Sequence, residues 1–331
     1  VGKWHLGHHY KHRPLQNVFD EYFGIPYSND MEMVVYMKDN EVVEYNPDQH
    51  YITQTYTKKA LDFIERRQDE PFFLYVPHNM PHVPIYASPE FEGSSERGLY
   101  GDVIQEIDWS VGQILDKLEA LNLDEETLVI FSSDNGPWLV MEDHGGSAGI
   151  LREGKQYTFE GGMREPTVAC WKGKIEPGTV YNGLAGMIDW FPTIVNLAGG
   201  TIPTDREIDG VDISGVLFGT GKRPDDEFFY FHTSGQLRCY RKGDWKIKLP
   251  FEGTKPARWR KAVDPHPLLL FNLREDPGET TNLAEKHPEK VKEMKARMNE
   301  FYESMGQLPP SKVIKLGADN SHYEYLRKKH E

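Results

Sequence analysis

Helical patterns alternate with short apolar runs through the first two thirds of the chain, and this alternation restricts the fold more than any other feature. Tyr56 to Gln68 repeats apolar residues at helical spacing, and the apolar run Pro71 to His78 follows. A second helical pattern, from Ile104 to Leu121, precedes the apolar run Thr127 to Gly136. Such short runs are typical of strands buried in a sheet. The alternation predicts an α/β fold with a mostly parallel sheet between helices.

The pattern changes after residue 222. Before it come a third apolar run at 166–173 and a helical pattern at 187–199 that ends at Gly199. After it, residues 228–273 show short strand patterns with a Lys-Gly-Asp hairpin turn, and Pro288 to Met305 is again helical. We therefore predict one domain over 1–222 and a C-terminal antiparallel subdomain over 223–331, with a helix and a loosely held tail beyond Pro310.

Net charge argues against nucleic acid as a partner, and hydropathy argues against a transmembrane segment. The formal net charge of −14 repels nucleic acid, and no apolar run approaches the length of a transmembrane segment. An anionic ligand would therefore need a few locally placed cations.

Asp134 and Asn135 follow the second apolar run and precede Gly136 and Pro137. Adjacent carboxylate and amide oxygens at a strand end suit a hard cation, Ca²⁺ or less favourably Mg²⁺. The same residues are also common in turns without a ligand. Without further context the stretch leaves both interpretations open.

Two further kinds of residue are candidates for the site: lysines that lie close to glycines, and histidines. Lys3 and His5 precede Gly7, and Lys155 precedes a Gly-Gly pair, which suits contact with an oxyanion. The prolines around His78 and His82 exclude a helical pair of zinc ligands. A zinc site among the histidines of residues 5–12 lacks a Cys or Glu at a familiar spacing.

Taken together and in this order, the motifs resemble those of the type I sulfatases, the arylsulfatase family. The matching stretches are "GKWHLG", "SSDNGP", "LREGKQYTFEGGMREP" and "LFNLREDPGETTNLA". The stretches "FDEYFGIPYSND" and "HVPIYASPEFEGSSERGLYGD" are most similar to the arylsulfatase A and N-acetylgalactosamine-6-sulfatase branch. The resemblance implies an alkaline-phosphatase-like α/β domain, N-terminally incomplete, with the small antiparallel subdomain near the rim of the active site.

The resemblance also implies hydrolysis of sulfuric esters by a formylglycine made from the first residue of a Cys/Ser-x-Pro-x-Arg motif. Neither Cys170 nor Cys239 lies in such a motif. We therefore expect the nucleophile upstream of Val1, and we expect the 331 residues alone to lack turnover and to bind Ca²⁺ weakly.

By resemblance, Asp134 and Asn135 hold Ca²⁺, and Lys3 and Lys155 stabilise charge on the sulfuryl oxygens. His5 takes a proton from the hydrated nucleophile, and His82 protonates the leaving oxygen. We expect these six residues to converge on one pocket, with His78 and Arg164 as structural neighbours.

Substrate and compartment follow from the resemblance in outline only. The substrate is a sulfated small molecule or glycan, and export to the periplasm, the cell exterior or the lysosome is implied. His232 and Gln236, between two predicted strands, are candidates for binding sugar hydroxyls, or else are ordinary turn residues. The alternatives are a phosphodiester or phosphonate hydrolase of the same superfamily and a non-catalytic sulfate-ester-binding module.

Overall fold

A computed structural model describes residues 1–31, 33–231, 235–255 and 262–305. His232 and the predicted tail lie outside these residues. The described residues form two compact units: unit 1 contains residues 1–127 and 141–146, and unit 2 contains residues 128–140 and the described residues of 147–305. The predicted domain boundary after residue 222 stays a prediction. No helix in the described residues has the length and apolar character needed to cross a bilayer.

Unit 1 contains a three-stranded antiparallel sheet and two long helices. The strands are β1 (Phe23–Gly24), β2 (Val35–Lys38) and β3 (Glu41–Tyr45), and the helices are α1 (Ile52–Arg67) and α2 (Gly98–Ala120). Both predicted helices are therefore confirmed. α1 buries Ile52, Tyr56, Ala60 and Ile64, as its helical spacing requires. On α2, Val103 and Ile107 are buried, whereas Ile104 is 41% exposed.

Parallel alignment appears in unit 1 as single backbone hydrogen bonds. The nitrogen of Val1 and the amide of Lys3 donate to the carbonyls of Tyr75 and Pro77, and the amides of Gly2 and Trp4 donate to those of Phe23 and Ile25 on the other side. Both partners advance by two residues each time, so all three segments run in the same direction. The extended segment 1–4 therefore lies between β1 and residues 75–77.

The predicted strand at 71–78 does not form a ladder, and the prediction of a buried strand there is wrong. Pro77 has no N–H, so the bond that would return to the carbonyl of Val1 cannot form. The side chains of Phe73 and Tyr75 are 61% and 49% exposed, so the run is not buried within unit 1. An apolar run indicates neither its hydrogen-bond partners nor the surface that covers it.

Unit 2 begins with an antiparallel pair of strands. β4 (Val129–Ser132) pairs with β5 (Thr167–Cys170), and the helices α3 (Glu160–Met163), α4 (Trp190–Leu197) and α5 (Ser214–Leu217) belong to the same unit. We predicted buried, parallel strands here, and both expectations are wrong. Because the two strands form a separate two-stranded ribbon, Phe131 is 41% and Val168 63% exposed. α4 ends before Gly199 at φ +73°, as predicted.

The predicted C-terminal antiparallel sheet and helix are confirmed. The sheet has the order β6 (Glu227–Phe231), β7 (Leu237–Lys242), β8 (Trp245–Lys248), β9 (Leu269–Asn272), and Gly243 turns the β7–β8 hairpin at φ +56°. Helix α6 (Pro288–Ser304) packs Met294 and Met298 against Tyr240, Ile247 and Leu270 of the sheet. Phe159 packs with Leu269 and Phe271.

A buried ion group ties α3 to the C-terminal sheet. Lys246 is fully buried, and its Nζ lies 2.8 Å from Glu160 Oε1 and 3.0 Å from Glu279 Oε1. Glu279 also accepts the backbone N–H of Glu160 at 2.5 Å. Burial alone would lower the pKa of Lys246, but the two carboxylates raise it above its usual value. The ammonium therefore stays charged and fixes the end of the loop that carries Lys155.

Candidate active site

The end of β4 and the loop that carries Lys155 touch through their backbones. The amide of Lys155 donates to the carbonyl of Pro137 at 2.9 Å, and the Lys155 ammonium lies 4.8 Å from the centre of the Trp138 ring. Asp134 is exposed and Asn135 half-buried at the same strand end. The structure thus brings three of the predicted site residues to one end of unit 2.

Glycines permit this close approach. A Cβ on Gly136 would lie 1.8 Å from the carbonyl oxygen of Gly161, and one on Gly154 would lie 2.2 Å from that of Pro137. Real Cβ atoms do not approach oxygen so closely, so any side chain at either position would separate the loop from the strand end. The Gly-rich sequence around Lys155 therefore has a packing reason besides flexibility.

Glu165 is a candidate that the sequence did not single out. The β4–β5 register pairs Ser132 with Thr167, and the amide of Ser133 donates to the carbonyl of Pro166, so the next pair sets Asp134 opposite Glu165. Glu165 Oε1 is buried and has no hydrogen-bond partner in the described residues. Burial and, secondarily, the charge of Asp134 raise the pKa of Glu165 to about 7. Sequence reasoning missed it because we expected parallel pairing.

These oxygens fit a hard cation. The side-chain nitrogen of Asn135 donates to the carbonyl of Gly136 at 3.1 Å, which leaves its amide oxygen as the acceptor end. Asp134 adds a carboxylate, and the orphaned Glu165 oxygen faces it across the strands. In the parts of the chain that the structure describes, no three His, Cys, Asp or Glu side chains cluster in a metal-binding arrangement. The donors present suit Ca²⁺ but are fewer than the six to eight oxygens it usually takes.

Lys3 and His5 lie in unit 1 at the end of the extended segment. The bond of the Lys3 amide to the Pro77 carbonyl and that of the Gly2 amide to Phe23 of β1 fix the backbone of Lys3, which is half-buried. His5 is exposed at φ +51°, and its amide donates to the carbonyl of Pro26. The chain therefore turns sharply directly after Lys3 and Trp4.

His82 and Lys3 share an electrostatic neighbour, Asp30, which sequence reasoning also missed. Burial would raise the pKa of Asp30, but the Ser28 hydroxyl, His82 and Lys3 together lower it. His82 Nδ1 lies 2.7 Å from the carbonyl oxygen of Val83, so that nitrogen carries a proton and donates it. A carboxylate beside an imidazole favours its protonated form.

His78 is a buried, neutral histidine. Burial lowers the pKa of His78 to about 4, so the ring is neutral at pH 7. Its Nε2 lies 3.5 Å from Ser110 Oγ, and its Nδ1 is buried without a hydrogen-bond partner in the described residues. These contacts support our interpretation of His78 as a structural residue.

Gln236 is exposed, and its Oε1 accepts a hydrogen bond from Arg238 Nη2 at 2.8 Å. Since Lys3, His5 and His82 belong to unit 1 and Asp134, Asn135 and Lys155 to unit 2, convergence of the six on one pocket stays a prediction.

Comparisons with known proteins identify the chain's relatives. A family profile described as "Sulfatase" matches residues 1–200. N-acetylgalactosamine-6-sulfatase of Canis lupus familiaris is 39% identical over 316 residues, covering 84% of this chain and 60% of that protein. Arylsulfatase A of Bos taurus is 35% identical over 325 residues, covering 86% and 63%. The chain thus spans less than two thirds of the length of these curated relatives.

A solved structure agrees with these relatives. It is a Bacteroides thetaiotaomicron protein described in connection with the metabolism of multiple glycosaminoglycans. This structure has a TM-score of 0.81 and 26% sequence identity, and the match covers 91% of this chain and 78% of that one. The alignment therefore extends over both units.

Proposed function

Because the chain belongs to the sulfatase family, we propose that the protein hydrolyses sulfuric esters. The observation that carries the proposal is the junction in unit 2 where Lys155 is hydrogen-bonded to the turn that follows Asp134 and Asn135. A cation-binding pair of oxygens next to a fixed ammonium suits a sulfate group, whose oxygens carry the negative charge. These relatives are longer than the part of them that this chain matches, so we assign the activity to the natural-length protein.

Asp134 and Asn135 would hold Ca²⁺, with the Glu165 carboxylate facing Asp134. When bound, Ca²⁺ supplies positive charge that stabilises the sulfate oxygens. Lys155 and Lys3 contribute further positive charge to the same oxygens as the S–O bond breaks. Two lysines suit this role, because the negative charge on the sulfuryl oxygens changes as the S–O bond breaks and positive charge nearby stabilises it.

Two histidines move protons in this proposal. His82 donates a proton to the leaving oxygen, and its Nδ1 is hydrogen-bonded to the Val83 carbonyl, which holds the ring in place. Asp30 supports the charged imidazole through its electrostatic contact with His82. His5 accepts a proton from the nucleophile. The family's formylglycine would supply that nucleophile, and the Cys/Ser-x-Pro-x-Arg motif that produces it does not occur within the 331 residues.

We assign the substrate to sulfated sugars, since two relatives that are 39% and 38% identical to this chain are named N-acetylgalactosamine-6-sulfatase. The exposed amide of Gln236 is suited to sugar hydroxyls, and His232 remains a candidate outside the described residues. Export from the cytoplasm is part of the same proposal and rests on the family resemblance alone.

The test is release of inorganic sulfate from N-acetylgalactosamine 6-sulfate by the purified natural-length protein. Lys155→Met should lower kcat/KM about 100-fold or more, the usual effect of removing one oxyanion-stabilising donor. Lys174→Met is the matched control, because Lys174 also lies over a tryptophan ring, at 4.1 Å from Trp171. Equal losses in both variants, or no release by the wild type, would contradict the proposal.

A further inference from the structure

Unit 2 carries a group of cations and aromatic rings that the proposed hydrolysis does not use. We call it the basic cluster, and it consists of Arg152, Arg238, Lys248 and His266 around the rings of Phe159 and Phe251. Arg152 Cζ and Lys248 Nζ lie 4.0 Å and 3.8 Å from the Phe159 ring centre. Arg238 Cζ lies 4.9 Å from the Phe251 ring. The two halves meet at His266, whose ring centre is 6.3 Å from that of Phe159 and 5.8 Å from that of Phe251.

The positive charge of the basic cluster is not neutralised by ion pairs. In the described part of the chain, none of its four basic side chains has a carboxylate oxygen within 4.0 Å. Two carboxylates interact electrostatically with the basic cluster, Glu279 with Lys248 and Asp276 with Arg152, but both have closer partners. Glu279 forms its ion pair with Lys246. Asp276 accepts hydrogen bonds from the amides of Thr280 and Thr281. Arg152 and Arg238 carry permanent charge, whereas burial lowers the pKa of Lys248, and two such arginines without an ion pair in the described residues are unusual in a chain of net charge −14. Such a group is stabilised by an anion that binds to it.

Arg238 has the geometry of a ligand-binding arginine. Its Nη2 donates to Gln236 Oε1 at 2.8 Å, and the Phe251 ring lies against the guanidinium. Its Nε is buried and has no hydrogen-bond partner in the described residues. A buried, charged donor without an acceptor is costly, and a planar guanidinium fork matches the two oxygens of a carboxylate or sulfate. The orphaned Nε therefore points to an oxyanion as the missing partner.

The basic cluster begins on the loop that carries the candidate sulfate ligand. Arg152 is three residues before Lys155, and Thr158, three residues after it, accepts a hydrogen bond from Lys248 Nζ at 2.6 Å. The amide of Gly161 donates to the carbonyl of Arg152 and closes this loop on itself. Cations at both ends of one short loop can therefore bind two negative groups of the same extended molecule.

We propose that the basic cluster binds a second oxyanion of the substrate, a carboxylate or sulfate on a sugar adjacent to the one that is hydrolysed. The inference rests on the proposed function and narrows its substrate class to glycans with a further negative charge near the scissile sulfate. Arg238 is the main contact, with Gln236 holding its guanidinium and His266 beside it.

The test compares three substrates of the natural-length protein. They are N-acetylgalactosamine 6-sulfate alone, the same sugar joined to a uronate, and the same sugar joined to a second sulfated sugar. Wild type should have a higher kcat/KM for at least one of the two dianionic substrates, and the preferred one identifies the second group. Arg238→Gln should reduce that preference about tenfold, the usual effect of losing a charge-assisted hydrogen bond, and Arg238→Lys should retain part of it.

Arg274→Gln is the matched control, because Arg274 is also an arginine of unit 2 but is 78% exposed and paired with Asp244. It should leave the preference unchanged. A second measurement does not depend on turnover: calorimetric binding of two oligosaccharides. One carries uronates but no sulfate ester, and the other carries its only sulfate on the sugar adjacent to the one that would be hydrolysed. If the wild type hydrolyses no sulfate ester but still binds either with Arg238-dependent affinity, the proposed function fails and the anion site stands. Equal kcat/KM for all three substrates with no Arg238-dependent binding would overturn the inference.

Discussion

Replacing Lys246 by methionine should destabilise the protein strongly, because it leaves the buried Glu279 carboxylate without an ion-pair partner in the described residues and leaves Glu160 with only Arg241, at 3.6 Å. Glu160 and Glu279 are 1% and 0% exposed, and each has an oxygen within 3.0 Å of the Lys246 ammonium. Removing one partner of a buried ion pair costs about 3–5 kcal/mol. For a unit of roughly 150–250 residues, where about 2–4 °C correspond to 1 kcal/mol, we expect Tm to fall by about 6–20 °C.

The assay is calorimetric and urea unfolding of the natural-length protein, wild type against variant. Lys242→Met is the control, since Lys242 is exposed on the same hairpin. Burial raises the pKa of Glu279, so protonation of this carboxyl would remove its uncompensated charge, and the deficit should be smaller at pH 5 than at pH 8. A deficit below about 1 kcal/mol that does not change with pH would refute the view that this ion group fixes α3 to the sheet.

Three further predictions concern single side chains. Asp134→Asn should abolish the rise in Tm that millimolar Ca²⁺ gives the wild type, as scanning calorimetry would show; an unchanged rise would place the cation elsewhere. The pKa of His78 is about 4 in the folded chain and about 6.5 in the unfolded chain. The free energy of unfolding of the wild type should therefore fall by up to about 3 kcal/mol as pH falls from 7 to 4. His78→Gln should remove that part of the loss in urea titrations, and equal slopes would contradict its burial as a neutral ring. His82→Gln should slow hydrolysis of alkyl sulfates more than that of nitrophenyl sulfate, which needs no protonated leaving group; equal losses would argue against a general acid.

Local patterns predicted the elements whose burial depends on their own sequence. The periodicity of α1 and α6 and the turn residues of the β7–β8 hairpin each identify an element without knowledge of its neighbours. The pairing direction of β4 and β5 is not local, since it depends on residues 35 positions apart. For that reason the position of Glu165 opposite Asp134 could not be read from the sequence.

Burial of charge is the other feature that local patterns misrepresent. Lys246 and Lys248 alternate with Ile247, a pattern typical of a strand whose lysines face solvent. Both are buried because Glu160 and Phe159, more than 80 positions earlier, cover that face of the sheet. Asp30 was missed for a similar reason: only the folded unit 1 shows that it interacts with His82 and Lys3.

The most direct test of the central proposal compares hydrolysis of a sulfate ester with hydrolysis of the corresponding phosphorus esters. The natural-length protein is assayed with the sulfate ester, the phosphate ester and the phosphonate ester of one nitrophenol, and kcat/KM is compared. We predict that the sulfate ester has the highest kcat/KM and that Lys155→Met lowers it about 100-fold or more, while Lys174→Met does not. A higher kcat/KM for the phosphonate or phosphate ester, or sulfate-ester binding without any turnover, would contradict assignment as a sulfuric ester hydrolase.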